Sequence, residues 1–211
     1  MTLAVINSGG ANLGSVLHAC HRLNVPAVMT SDPEVIRSAE RVILPGVGSA
    51  RSAMQALERA DLVDVIRELT QPVLGICLGL QLMYEHSEEG NCDCLGLIPG
   101  TVTDLDVPPE LRLPHMGWNQ LRWTAPEDPL AQGLAGDEWF YFVHSYGAPL
   151  DHAVAVSEHG QAFAAIVRHR NFAACQFHPE KSATAGQKLL ANFLHSDVPI
   201  PASKTISEAT L

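Results

Sequence analysis

No apolar stretch in this chain approaches the length that spans a bilayer, which excludes a transmembrane helix. Basic residues are scarce: 13 Lys and Arg against 23 Asp and Glu leave a formal charge of -10. That balance excludes the clustered cationic surfaces that hold nucleic acid or anionic membranes. The opening residues, MTLAVINSGG, lack the basic segment of a secretory signal and read as a first buried strand. Five cysteines, an odd number spread over 22.7 kDa, make no disulfide framework. An intracellular, reducing compartment is therefore expected, and there a single displayed thiol is a candidate nucleophile. Repeats and low-complexity tracts are missing as well. What the chain does have is apolar content. Of its 211 residues 46% are hydrophobic and 17% charged, enough to bury a sizeable core and too apolar for a disordered chain. The expected partners are small molecules or another protein.

The runs LAVIN (3–7), PAVMT (26–30), RVILPGVG (41–48) and PVLGIC (72–77) read as strands, and helical patterns separate them. In NLGSVLHACHRL, residues Leu13, Val16, Leu17, Cys20 and Leu23 share one helical face, with Asn12 as N-cap. SARSAMQALERA (49–60) and DLVDVIREL (61–69) are also helical. Apolar strands alternating with amphipathic helices predict an α/β fold of three layers, a mostly parallel central sheet covered on both faces. Beyond Gly90 come short strands separated by Gly, Pro, Asn and His turns, which predict an antiparallel or mixed extension of that sheet. AGQKLLANFLHS (185–196) closes the pattern as an amphipathic helix. Residues 1–196 are the expected domain. Residues 197–211, with two prolines and no periodicity, are the expected mobile tail.

Chemistry concentrates at three places. Gly75-Ile76-Cys77-Leu78-Gly79 has the layout of a nucleophile elbow with sulfur in place of oxygen. Its glycines permit a reversal that side chains would block. The turn would set Cys77 above the carboxyl ends of the strands, at a helix start whose partial positive charge favours thiolate. The competing reading is a buried structural cysteine at a strand–helix junction. Cys20 and Cys175 read as core, and Cys92-Asp93-Cys94 as a loop, so no metal site is expected.

The second place is CQFHPEKS, where His178 and Glu180 stand two apart on an extended segment and so point to one side. Glu180 would hold the imidazole in one tautomer while His178 takes the thiol proton. A purely structural His-Pro-Glu turn is the alternative. Third, LPGVGSA brings a strand end into a helix. The loop Gly46, Val47, Gly48 could lend backbone N–H groups to an oxyanion beside that of Leu78, or simply turn the chain.

Pro-Gly-Val-Gly, Gly-Ile-Cys-Leu-Gly-Leu-Gln and Phe-His-Pro-Glu, in this order, resemble the class I, triad-type glutamine amidotransferases. The resemblance runs from Leu3 to His195 and implies a flavodoxin-like sheet and the triad Cys77, His178 and Glu180. Four stretches, NLGSV (12–16), LPHMGWNQL (113–121), YFVHSY (141–146) and FHPEKS (177–182), resemble the branch of the family that serves histidine biosynthesis.

This resemblance implies glutamine as substrate, hydrolysed through a cysteine thioester with no cofactor. It implies that Gln81 and Glu89 hold the amino-acid end of glutamine. The backbone around Ser145 and Tyr146 would meet its carboxylate, with His144 beside them as part of the site or else as a satisfied structural histidine. It further implies an ammonia-consuming (β/α)8-barrel cyclase as partner subunit, facing Asn12, Trp118, Asn119, Tyr141 and Lys181. Ordinary core packing is the competing reading for Trp118 and Tyr141. One departure stands out: the family commonly has Asp at the end of the first strand, where this chain has Asn7 followed by Ser8. A stand-alone cysteine hydrolase and a non-catalytic scaffold on the same fold are the rival readings of the whole chain.

Overall fold

A computed structural model describes residues 1–7, 13–46 and 48–196. The expectations placed on Ser8, Asn12, Val47 and residues 197–211 lie outside the described residues. The first half of the chain alternates as its apolar runs dictate. It comprises β1 (Leu3–Ile6), α1 (Leu13–Arg22), β2 (Ala27–Thr30), α2 (Pro33–Ser38), β3 (Arg41–Gly46), α3 (Ala50–Arg59), α4 (Val63–Arg67), β4 (Val73–Cys77) and α5 (Leu78–Leu82). Next come β5 (Tyr84–Ser87), β6 (Cys92–Asp93), β7 (Ile98–Asp104), β8 (His115–Gln120) and β9 (Arg122–Trp123). Then β10 (Trp139–His144), β11 (Tyr146–Gly147), β12 (Ala153–His159), β13 (Gln161–His169), β14 (Phe172–Cys175) and α6 (Ala183–His195) complete it.

The central sheet has eight strands in the order β2-β1-β3-β4-β14-β13-β12-β9. The first five run parallel, in the 2-1-3-4-5 order of a flavodoxin-like sheet, and the last three are antiparallel. β1 and β4 are buried at every position, as strands covered on both faces must be. The two covers are separate apolar clusters. Ala4 and Ile6 of β1 join one with Leu57, Ile66 and Leu80, whereas Leu3 and Val5 join the other with Phe142, Phe177 and Leu190. No helix among the described residues is long and apolar enough to cross a membrane.

Two features differ from the sequence pattern. The strands beyond Gly90 do not all extend the central sheet. β8 and β10 form a two-stranded sheet of their own, and β11, β7, β5 and β6 a four-stranded one. The cause lies in β10, whose Phe140 packs on Phe177 at 4.4 Å between centroids while Phe142 meets Phe163 at 5.8 Å. That pair therefore docks through its inner side chains, not through its hydrogen-bonding edge. In addition, α2 has no apolar periodicity to announce it. It is set instead by its start, where Asp32 accepts from the Glu34 N–H and Pro33 enters the first turn.

Candidate active site

β4 delivers Cys77 to the carboxyl edge of the parallel strands, beside Gly46 of β3. The backbone of Cys77 has φ 54°, ψ -111°, a left-handed conformation that costs a non-glycine residue about 1–3 kcal/mol. Steric contacts hold it there. A Cβ on Gly79 would sit 1.9 Å from the Leu44 carbonyl oxygen, and one on Gly75 would sit 2.8 Å from the Gly79 carbonyl oxygen. The elbow thus closes only with hydrogen at both positions. α5, which follows, has just five residues before the chain turns into β5, so the helical run behind the thiol is shorter than its apolar pattern suggests.

The Cys77 sulfur opens into a cavity of about 300 Å³ that is also lined by Gly48, Leu78, Gln81, Glu89, Val143, His144, Ser145, Tyr146, His178 and Lys181. Most residues singled out in the sequence therefore meet at one place. Gly46 and Glu180 stand behind the lining: Gly46 packs under the elbow, 2.8 Å from the Leu78 Cβ for a Cβ built on it. Val47 is outside the described residues. Gly48 has φ 91°, and the Leu78 N–H begins α5, where the first turn leaves amides without intrahelical partners.

His178 reaches the cavity from beyond β14. Its Nδ1 lies 2.8 Å from Glu180 Oε1, with 8% and 3% of the two side chains exposed. The contact does not arise along an extended strand: residues 179–181 form a 3-10 turn that swings the carboxylate back under the ring. Glu180 Oε2 is buried without a hydrogen-bond partner, so the imidazole is the group that compensates the carboxylate charge. Burial pulls the His178 pKa down, but a side-chain hydrogen bond with Cys77 and the Glu180 carboxylate outweigh it and raise it to about 10. The ring is consequently held as imidazolium near neutral pH, poised to give a proton to a leaving group over the sulfur.

Three residues that the sequence motifs do not single out complete the arrangement. Gln176 sends Nε2 toward Cys77 Sγ at 3.9 Å and accepts from Gln81 Nε2 at 3.1 Å. A lone polar residue in the apolar run AACQF is its only sequence signal. Ser182, fully buried, donates to the His178 carbonyl at 2.7 Å and accepts from the Tyr141 N–H at 2.9 Å. The His178 N–H in turn donates to the Tyr141 carbonyl at 2.9 Å. His115 lies 3.0 Å from His144 through Nδ1 and Nε2.

Gln81 and Glu89 flank the cavity. Glu89 accepts from the Ala50 N–H at the start of α3 over 2.8 Å, and burial pushes its carboxyl pKa up against that hydrogen bond. His144 takes the reading of a satisfied structural histidine. Both of its nitrogens are engaged within the protein, Nδ1 with the Tyr146 carbonyl at 2.8 Å and Nε2 with His115, leaving none for a ligand.

The surface residues also separate. Met116, Trp118 and Trp139 are 63%, 48% and 53% exposed, and their register puts them on one outer face of β8–β10 with Tyr141. Trp118 and Tyr141 rings meet edge-on at 5.8 Å, which replaces core packing as the account of both. Asn119 does not join them. It faces inward, donating to the Glu158 carbonyl at 2.8 Å. Lys181 is exposed at the cavity mouth. Cys92 and Cys94 flank Asp93 on β6, and no group of three or more potential metal ligands occurs among the described residues.

Comparison with known proteins agrees with this geometry. The family model of the class-I glutamine amidotransferases matches residues 4–196. The chain is 50% identical to the imidazole glycerol phosphate synthase subunit HisH of Idiomarina loihiensis, over 92% of this chain and 97% of that one. It is 49% identical to the HisH subunit of Pasteurella multocida, over 92% and 98% of the two chains. A solved structure of a GMP synthase subunit from Thermoplasma acidophilum shares the fold at TM-score 0.69 and 19% identity, covering 92% of each chain. Another, of a glutamine amidotransferase, does so at TM-score 0.65 and 20% identity, covering 91% of this chain and 96% of that one. Elbow, sheet order and match over nearly the whole described chain lead to one conclusion: the protein belongs to the class I glutamine amidotransferases.

Proposed function

We propose that this protein is the glutaminase subunit of an imidazole glycerol phosphate synthase. In this reading it hydrolyses glutamine to glutamate and passes the ammonia to a (β/α)8-barrel cyclase, which uses it in histidine biosynthesis. The observation that carries the chemistry is the His178 imidazole, hydrogen-bonded to Glu180, lining with Cys77 a cavity that also holds Gln81 and Glu89. The Cys77 sulfur, its proton on His178, attacks the side-chain amide carbon of glutamine. The carbonyl oxygen becomes an oxyanion against the Leu78 and Gly48 amides. Collapse of the tetrahedral adduct breaks the C–N bond as His178 protonates the nitrogen, and ammonia leaves. Water, deprotonated by His178, then cleaves the γ-glutamyl thioester to glutamate and the free thiol.

Half-identity to HisH subunits along almost their full length supports the assignment to that synthase. The outer face of Met116, Trp118 and Trp139 supports a docked subunit, being a contiguous apolar patch of the side chains that dominate interfaces. All five cysteines are free, which suits a cytoplasmic setting. Only neutral ammonia is a nucleophile, and a docked cyclase would receive it before it meets bulk water.

The test is glutamate release with and without a barrel cyclase and its ribonucleotide substrate. A sharp rise on adding both, abolished by Cys77→Ala, is expected. Equal turnover with and without the partner overturns the reading that a docked cyclase switches the glutaminase on. Turnover of peptides or esters but not of glutamine overturns the whole assignment.

A further inference from the structure

We propose that His115 and His144 are positioning residues: two neutral imidazoles that relay the placement of strand β8 to the substrate-holding amide of Gln81. The inference rests on reading the cavity as a glutamine site. Hydrogen-bond chemistry sets every proton in the chain. The Tyr146 carbonyl can only accept, so His144 Nδ1, 2.8 Å away, carries a hydrogen. The neutral ring then offers a lone pair at Nε2, and His115 Nδ1, 3.0 Å away, is the donor. His115 Nε2 is left as acceptor, facing the Asn119 amide nitrogen at 3.4 Å. The orientation of Asn119 is fixed independently. Its oxygen accepts from the Gln120 N–H at 2.8 Å, and its nitrogen donates to the Glu158 carbonyl.

An additional proton on either ring would set two N–H groups against each other, so the relay works only when neutral. The surroundings enforce that state: Phe142 and His159 stack on His115 with centroids 5.0 and 4.2 Å away. Burial, aided by the other imidazoles nearby, holds the pKa of His115 down to about 4 and that of His144 to about 3.

At its far end the relay meets the substrate machinery. The Tyr146 carbonyl that accepts from His144 also accepts from Gln81 Nε2 at 3.3 Å, and the same Nε2 donates to Gln176 Oε1. Both amide hydrogens of Gln81 are thereby used. Its oxygen is the remaining acceptor on a side chain that lines the cavity, suited to the α-ammonium of an amino acid. His144 holds the carbonyl that aims this oxygen. Asn119, at the other end, belongs to the strand that bears Met116 and Trp118 on its outer face.

The experiment measures KM and kcat for glutamine, as glutamate release by the protein with its cyclase partner. His144→Gln places an acceptor where Nε2 was but removes the donor to Tyr146. His144→Asn keeps a donor at the Nδ1 position. The expected result is a KM raised about three- to tenfold in His144→Gln with kcat changed much less, the effect of one neutral hydrogen bond, and only partial recovery in His144→Asn, which restores the donor to Tyr146 but not the acceptor for His115. Should His144→Gln fail to fold, His115→Phe keeps the ring stack without either nitrogen and should raise KM to the level of His144→Asn, since both cut the link between the rings. Unchanged KM, or an equal rise in the Gln and Asn variants, overturns the relay while leaving the glutaminase reading intact. No glutamate release by the unmodified complex overturns that reading and the relay with it.

Discussion

Mild acid should reveal how strongly the fold insists on neutral imidazoles at positions 115 and 144. Free imidazoles in the unfolded chain titrate near 6.5, and both rings are held well below that when folded. A group with a lowered folded pKa contributes full stability above the unfolded value. The contribution is lost as pH falls, here from 6.5 down to about 4 and about 3. At about pH 5.5 an unfolded imidazole gains about 1.4 kcal/mol by taking up a proton, and at about pH 7.5 under about 0.1 kcal/mol. Each folded ring forgoes that gain, so the pair should destabilise the protein by roughly 2–3 kcal/mol between the two conditions.

His178 works in the opposite sense. Raised to about 10, its contribution is complete below 6.5 and lost as pH climbs through 10, so acidification returns roughly 1 kcal/mol. The three imidazoles together leave a net acid loss of roughly 1 kcal/mol. A difference measurement isolates one ring. Urea unfolding of the unmodified protein and of His115→Asn, followed by tryptophan fluorescence at both pH values, should show the variant losing roughly 1 kcal/mol less. His159, stacked on His115, and His178, near His144, are present in both proteins and cancel. Equal acid losses in the two would refute the reasoning.

Gly79→Ala places its methyl carbon 1.9 Å from a backbone oxygen that cannot rotate away, and should abolish folding or lower Tm drastically. Gly14→Ala, where nothing lies within 4 Å, should instead stabilise α1 by about 0.5–1 kcal/mol in thermal melts. Glu180→Gln removes the carboxylate that helps keep His178 protonated, so glutaminase kcat should fall about 10²–10⁴-fold. The alkaline limb of its pH profile should shift to lower pH, and an unmoved limb would show that the carboxylate does not set the imidazole's charge.

The parallel strands were legible because burial on both faces forbids polar residues, and LAVIN and PVLGIC obey that constraint. The elbow was legible for a related reason. Its glycines answer contacts that any tight strand–helix turn makes, here with Leu44 and Gly79. His115 and His144 gave no such signal. Each alternates inward on an ordinary strand, and their meeting depends on a pairing 29 residues apart that no local pattern encodes. The pairing of β8 with β10 alone escaped for the same reason. Alternation tells which side chains turn inward, but whether Phe140 finds Phe177 or a neighbouring strand edge is decided by tertiary packing.

Tyr141 presents its ring beside Trp118 on the exterior, while its own amide and carbonyl are tied to the loop that carries His178. Ser182 closes that tie from behind, so three hydrogen bonds join strand and loop. Pressure on the outer aromatic pair is therefore felt at the proton donor without any intermediate hinge, and a protein seated there would hold a lever on the reaction it depends upon.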